Sequence, residues 1–291
     1  VRRSGVKKRS RIYTRKPRMT RSRILDIVSE KKKDRMLLES STDGGVNFLP
    51  EAVALSTNNV AVYLVTGRDR SDLSDLQMNR HHDTVFWKGF SDNLVVQSTT
   101  SDPWKWRRIL FEVRGGPGAT GLPPITYLGN YNRQTEIDSL LPTTDGINPN
   151  PVTLTGVRRY SRQMSFLTNT QMVSFLNGLF GGTAGYDRNP GQYISAQVDQ
   201  ENVRILYDKT RSITSGNDSG VLRNYKLYHP LNKTMRYSTT EIGNLRSDTY
   251  YSAPKSPLGD IYCMDLFTQL NDAPGSLRIT GQGVSYWHER G

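Results

Sequence analysis

The sequence predicts an all-β protein with one short helix, long loops and a basic N-terminal arm. Short runs rich in β-branched and aromatic residues recur along the chain and end at turn formers. A single segment carries helical periodicity. Neither a repeat of roughly 20–50 residues nor strand–helix alternation is present, so a sandwich, a jelly roll and a barrel all remain open.

Taken in order, "DRMLLES" (Asp34–Ser40) and "VAVYLVTG" (Val60–Gly67) read as the first strands. "TVFWKGF" (Thr84–Phe90) and "NLVVQSTT" (Asn93–Thr100) read as two more, with Ser91-Asp92 as the turn between them. "WKWRRILFEVRG" (Trp104–Gly115) is the clearest strand, with Ile109, Phe111 and Val113 on one apolar face. "GGPGATGLPP" ends it, and the Pro-, Asn- and Thr-rich stretch from Leu122 to Arg162 reads as long loops between short strands. In "TNTQMVSFLNGLFGG", Met172, Val173, Phe175, Leu176, Leu179 and Phe180 share one helical face. Thr168, Asn169 or Thr170 can cap its start, and Gly181-Gly182 ends it. "NVRILYDKTRSIT", "GVLRNYKLYHPL", "DIYCMDLFTQL" and "SLRITGQGVSYWHER" complete a count of eight to nine strands.

Charge is distributed unevenly. The chain holds 39 basic and 27 acidic residues, a net charge of +12. Eleven of the basic residues fall among the first 23: Arg2, Arg3, Lys7, Lys8, Arg9, Arg11, Arg15, Lys16, Arg18, Arg21 and Arg23. No acidic residue interrupts them, and the remaining body is almost neutral. An arm this charged cannot pack on itself, so it needs an anionic partner, nucleic acid ahead of membrane. Tyr13 can stack on an unpaired base. Solubilisation or nuclear targeting is the plainer reading of the same residues, and "KKRSR" and "RKPR" fit a localisation signal. The expected division is therefore an arm over 1–23 and a β domain over 24–291. The chain starts at Val1 rather than Met, and further residues can precede it.

Other function classes find little support. No apolar run reaches the ~18 residues of a membrane span, and the basic start lacks the apolar core of a secretory signal. Cys263 is the single cysteine, which excludes an intrachain disulfide or a thiolate zinc cage and fits a reducing compartment. "HHD" (His81, His82, Asp83) holds ligand types, but adjacent strand residues point to opposite faces, so an exposed loop is expected there. "SGNDSGV" superficially resembles a serine-protease motif, yet no His sits in a suggestive context, and a turn between strands is the better reading. "GGPGATG" lacks the Lys-Ser/Thr of a phosphate loop. No catalytic residue, metal site or cofactor is expected. Beyond the arm, "WKWRR" (Lys105, Arg107, Arg108) and "GVRRYSRQ" (Arg158, Arg159, Arg162 around Tyr160) set cations beside aromatic residues, a pattern suited to single-stranded nucleic acid. A solvated strand end or an intersubunit ion pair is the bland alternative, and the Trp residues belong more often to a core.

"RMTRSRILDIVSEKKKDRML", "PWKWRRILFEVRG", "YDKTRSITSGNDSGVLRNYKLYHPLNKTMRY", "DIYCMDLF" and the terminal "YWHER" resemble capsid proteins of genomoviruses, which carry small circular single-stranded DNA genomes and are often associated with fungi. "NYKLYHPLNKTMRY" is also similar, more remotely, to the geminivirus coat protein. The resemblance covers roughly residues 18–41, 84–115 and 203–290. It implies an eight-stranded antiparallel jelly roll with an Arg-rich arm. It further implies self-assembly of sixty subunits into a T=1 icosahedral shell around single-stranded DNA. The arm is then expected to be ordered on the inner side, held by DNA or a neighbouring subunit. Location in the virion, and in the host nucleus during assembly through a host import receptor, also follows from the resemblance. The competing reading is a cellular nucleic-acid-binding protein with a basic extension.

Overall fold

Eleven strands make up the body: β1 (Ser29–Ser41), β2 (Val53–Leu55), β3 (Asn59–Leu64), β4 (Thr84–Ser98), β5 (Trp104–Val113), β6 (Arg162–Phe166), β7 (Arg204–Ile213), β8 (Leu222–Ile242), β9 (Leu245–Ser252), β10 (Asp260–Gln269) and β11 (Leu277–Arg290). The structure is a computed structural model, and it describes residues 27–41, 53–55, 59–68, 70, 79–114, 162–166, 176–181, 193–201, 203–216, 218–242, 245–269 and 276–290.

Eight of these strands form two antiparallel layers. One runs β1-β11-β4-β8 and the other β3-β10-β5-β7. Counting only those eight along the chain, the first layer holds the first, eighth, third and sixth, and the second layer the second, seventh, fourth and fifth. That interleaving is the jelly roll. β9 extends β8 as a hairpin, and β2 and β6 are short additions. β1 belongs to both layers. Ser29 to Leu37 pair with β11, whereas Leu38 to Ser41 run parallel to β6. Beyond Gln282, β2 takes over beside β11, pairing with Leu277–Ile279.

Alternation explains which faces meet. On β4, Val85, Trp87, Leu94 and Val96 point inward, and on β11 Leu277, Ile279 and Trp287 do the same. Val85, Trp87 and Trp287 meet Ile109, Phe111, Tyr262 and Met264 from the second layer. A second apolar cluster gathers Leu94, Val96, Trp104, Trp106, Phe267 and Ile279. Trp104 and Trp106 are both fully buried, each contributing on the order of 2–3 kcal/mol of apolar transfer, so they are core residues rather than base platforms.

Two strand assignments need correction. β1 begins at Ser29, five residues before the apolar run, because Lys31 and Lys33 face solvent while Lys32 turns inward. Ser91-Asp92 is not a turn. β4 passes straight through it, since Asp92 is a buried strand residue with a cation to meet it. The helical segment is described only over 176–181, with helix at 176–179; Leu176, Leu179 and Phe180 are buried, and the Phe180 N–H donates to the Leu176 carbonyl at 3.0 Å. The remainder of that segment, and the stretch from Leu122 to Ser161, lie outside the described residues.

Candidate nucleic-acid interface

The nucleic-acid contacts picked out by sequence divide into three groups. Arg2, Arg3, Lys7, Lys8, Arg9, Arg11, Tyr13, Arg15, Lys16, Arg18, Arg21, Arg23, Arg158 and Arg159 lie outside the described residues, as does "GGPGATG". Arg162 starts β6, and only its backbone, paired with Leu38, is described. The third group is "WKWRR", where two of three assignments fail.

Arg108 is fully buried between the layers. Its Nε and Nη2 lie 2.7 and 2.9 Å from the two carboxylate oxygens of Asp265, and its Nη1 lies 2.8 Å from Asp92 Oδ2. Burial opposes the charge, but Asp265 foremost, with Asp92, holds the guanidinium well above its ordinary value. Arg107 is also buried: Nε and Nη2 grip Asp208 at 2.9 and 2.6 Å, while Nη1 donates to the carbonyls of Tyr193 and Ala196. Neither side chain can reach a phosphate, so both tie strands together instead. Lys105 stays accessible at the β5–β7 edge, with Nζ 2.7 Å from Ser212 Oγ.

The other motifs settle into local structure. Glu289 accepts the backbone N–H groups of His81 and His82 at 2.8 and 3.2 Å, which pins the "HHD" loop against β11. In "SGNDSGV", Ser215 Oγ donates to the Gly220 carbonyl at 2.8 Å, and Asp218-Ser219 form a turn between β7 and β8. The described residues hold no group of three or more His, Cys, Asp or Glu arranged for a metal, and no helix among them is long and apolar enough to cross a membrane.

A cationic surface that sequence reasoning missed covers the solvent side of the β1-β11-β4-β8 layer. By alternation, β1 presents Lys31, Lys33 and Arg35, β4 presents Lys88, β8 presents Lys226 and Arg236, and β11 presents Arg278. No carboxylate lies among the outward positions of these strands over residues 31–37, 84–97, 224–236 and 278–288. Of the carboxylates on these strands, Asp92 and Glu289 are buried, Asp34 is half-buried against Arg68, and Glu30 is exposed at the start of β1. Lys32 Nζ turns inward to Glu289 Oε1 at 3.4 Å and the Asn79 carbonyl at 3.2 Å.

At one end of this face an open cleft of about 500 Å³ is lined by Lys31, Lys32, Lys33, Lys88, Tyr228, Tyr286 and His288. Pairing brings them together: Lys31 opposes His288 and Lys33 opposes Tyr286 across β1 and β11, and His288 opposes Phe86 across β11 and β4. The bulge between Trp87 and Gly89 takes Lys88 out of register with β8, which re-aims its side chain. Gly89 is required there: its φ is +151°, and a Cβ would stand 2.4 Å from the His229 carbonyl and 3.0 Å from the Tyr228 hydroxyl. That hydroxyl donates to the Lys88 carbonyl at 3.3 Å, and the Tyr228 ring meets Tyr286 edge-on with centroids 6.3 Å apart. Tyr228 remains more than half exposed.

No protein-family model matches the chain, and no curated protein matches it either.

The signal for this surface was present in the sequence as Lys-x-Lys at 31–33 and as Tyr-x-His at 286–288, both at strand spacing. It was obscured because a charge run does not reveal which alternate members face water.

Proposed function

We propose that this chain is a viral capsid protein that packages circular single-stranded DNA in a self-assembled T=1 shell, the function implied by its resemblance to genomovirus capsid proteins. The observation that carries the reading is a jelly roll with one predominantly cationic face joined to a cationic arm. Five residues separate Arg23 from the first residue of β1, so the arm feeds directly into the layer bearing Lys31, Lys33 and Arg35. Arm and face together form an electropositive lining that neutralises phosphates without reading sequence. The body beyond the arm, face included, is almost neutral, so its copies can pack without large net charge repulsion.

The test is to purify the full chain and image it by electron microscopy with and without single-stranded DNA, measuring nuclease-protected DNA per particle. Uniform shells containing protected DNA are expected. Deleting residues 1–23 should remove most of the DNA while leaving the β-sheet circular dichroism unchanged. DNA-binding monomers that form no shell across salt and pH conditions would instead favour a cellular nucleic-acid-binding protein.

A further inference from the structure

We infer that the cleft between β1, β11, β4 and β8 is a seat for one unpaired nucleotide, with its base stacked on Tyr228 and its phosphates against Lys31, Lys33 and Lys88. This rests on the nucleic-acid reading above and assigns it a specific site.

The ring of Tyr228 is a prepared platform. Its hydroxyl is anchored on the Lys88 carbonyl, and the edge of Tyr286 fixes its tilt, yet more than half of the residue stays open to solvent. Exposing an aromatic ring is unfavourable unless something covers it, and a nucleobase covers it with a π-face that any of the four bases supplies. The edge-on contact with Tyr286 leaves no gap for a base between the two rings, so stacking uses the outer face of Tyr228.

The charges around the platform fit a backbone. Lysines are compact point charges suited to phosphate without sequence readout. Among the described residues, neither Lys33 nor Lys88 has a carboxylate within ion-pair distance, while Lys32 beside them is already spent on Glu289. A volume of about 500 Å³ lies within the ~300–1,000 Å³ of small-molecule sites, enough for a nucleotide and too small for a duplex. In a duplex the base faces stay inside the stack, so only an unpaired base can lie on the ring. The cleft thereby selects single strands, which a run of charge alone does not.

The experiment compares the full chain binding a fluorescent thymidine 12-mer with an abasic 12-mer of equal phosphate count, by anisotropy at matched salt. The arm feels both oligomers alike through its charge. Base-bearing DNA is expected to bind about tenfold more tightly, the scale of one stacked base. Tyr228→Ala should abolish that difference and Tyr228→Phe should retain most of it. Tyr13→Ala, in the arm, should leave the difference intact. A base-dependent gain that persists in Tyr228→Ala overturns the site, as does equal binding of the two oligomers by the wild-type chain. In both of those cases tight binding would leave the packaging reading standing. Failure to bind either oligomer would remove both. Denaturation midpoints for each variant confirm that loss of the gain is not loss of fold.

Discussion

Arg108 and Asp265, on the neighbouring strands β5 and β10, form a two-pronged ion pair in a site with no solvent access. Asp92, from β4 in the opposite layer, closes on the same guanidinium. The pair thus becomes a bridge between layers, and Trp106 adds an indole N–H to Asp265 at 2.8 Å.

Removing this cation strands two buried carboxylates. Arg108→Met is expected to destabilise the fold by about 3–5 kcal/mol, whereas Arg108→Met combined with Asp92→Leu and Asp265→Leu should recover much of that loss. Urea midpoints on the single and triple variants decide it. A single variant with a wild-type midpoint would show that the bridge contributes nothing.

Two buried groups titrate in opposite senses. Burial raises the Asp260 carboxyl to about 7, with hydrogen bonds from the Ser252 N–H and hydroxyl opposing it and no cation within ion-pair distance among the described residues. The folded state therefore holds this proton more tightly, and stability from it is full below about pH 4 and lost as pH rises towards 7. Burial, then Arg108, lowers His229 to about 4, so its contribution is full above about pH 6.5 and lost as pH falls towards 4. In the wild type the two slopes largely cancel over that range. Asp260→Asn should expose a rise in stability with pH. His229→Phe, which keeps the stacking on Phe90 and Tyr207, should expose a fall. Midpoints at pH 5 and pH 7.5 that show the same trend in both variants would contradict this assignment.

The cationic face predicts a salt dependence. Lys31→Gln, Lys33→Gln and Lys88→Gln together should lower the slope of log affinity against log salt for single-stranded DNA by about 2, at ~0.7 per phosphate contact. Folding should be nearly unaffected, because these side chains sit at the surface. An unchanged slope would place the phosphates elsewhere.

Gly89 offers a backbone test of the cleft. Gly89→Ala sets a Cβ against the His229 carbonyl at a φ that disfavours side chains, and should cost more than about 1 kcal/mol. It should also blunt the preference for base-bearing DNA, because the Tyr228 hydroxyl crowds the same point. Preserved stability in a thermal melt would rule out the strained bulge.

Much of the fold was legible because strands stand out as short apolar, β-branched and aromatic runs that end at turn formers, as along Ile109 to Val113. It failed where a buried position was charged. Asp92 read as a turn because its partner Arg108 lies 16 positions away in sequence and on the opposite layer. Arg108 read as a DNA contact for the same reason, since no local pattern reveals a carboxylate supplied from β10. The cleft was hidden differently: Lys33, Lys88, Tyr228 and Tyr286 come from four strands, and only register assembles them.

Ser29 pairs with Arg290, so the body's first strand begins beside the end of its last. A peptide joined after Arg290 would leave the body from the corner where β1 begins. In the shell proposed above, a fusion at this corner would share the arm's compartment, which suits foreign cargo and not an outward-facing label.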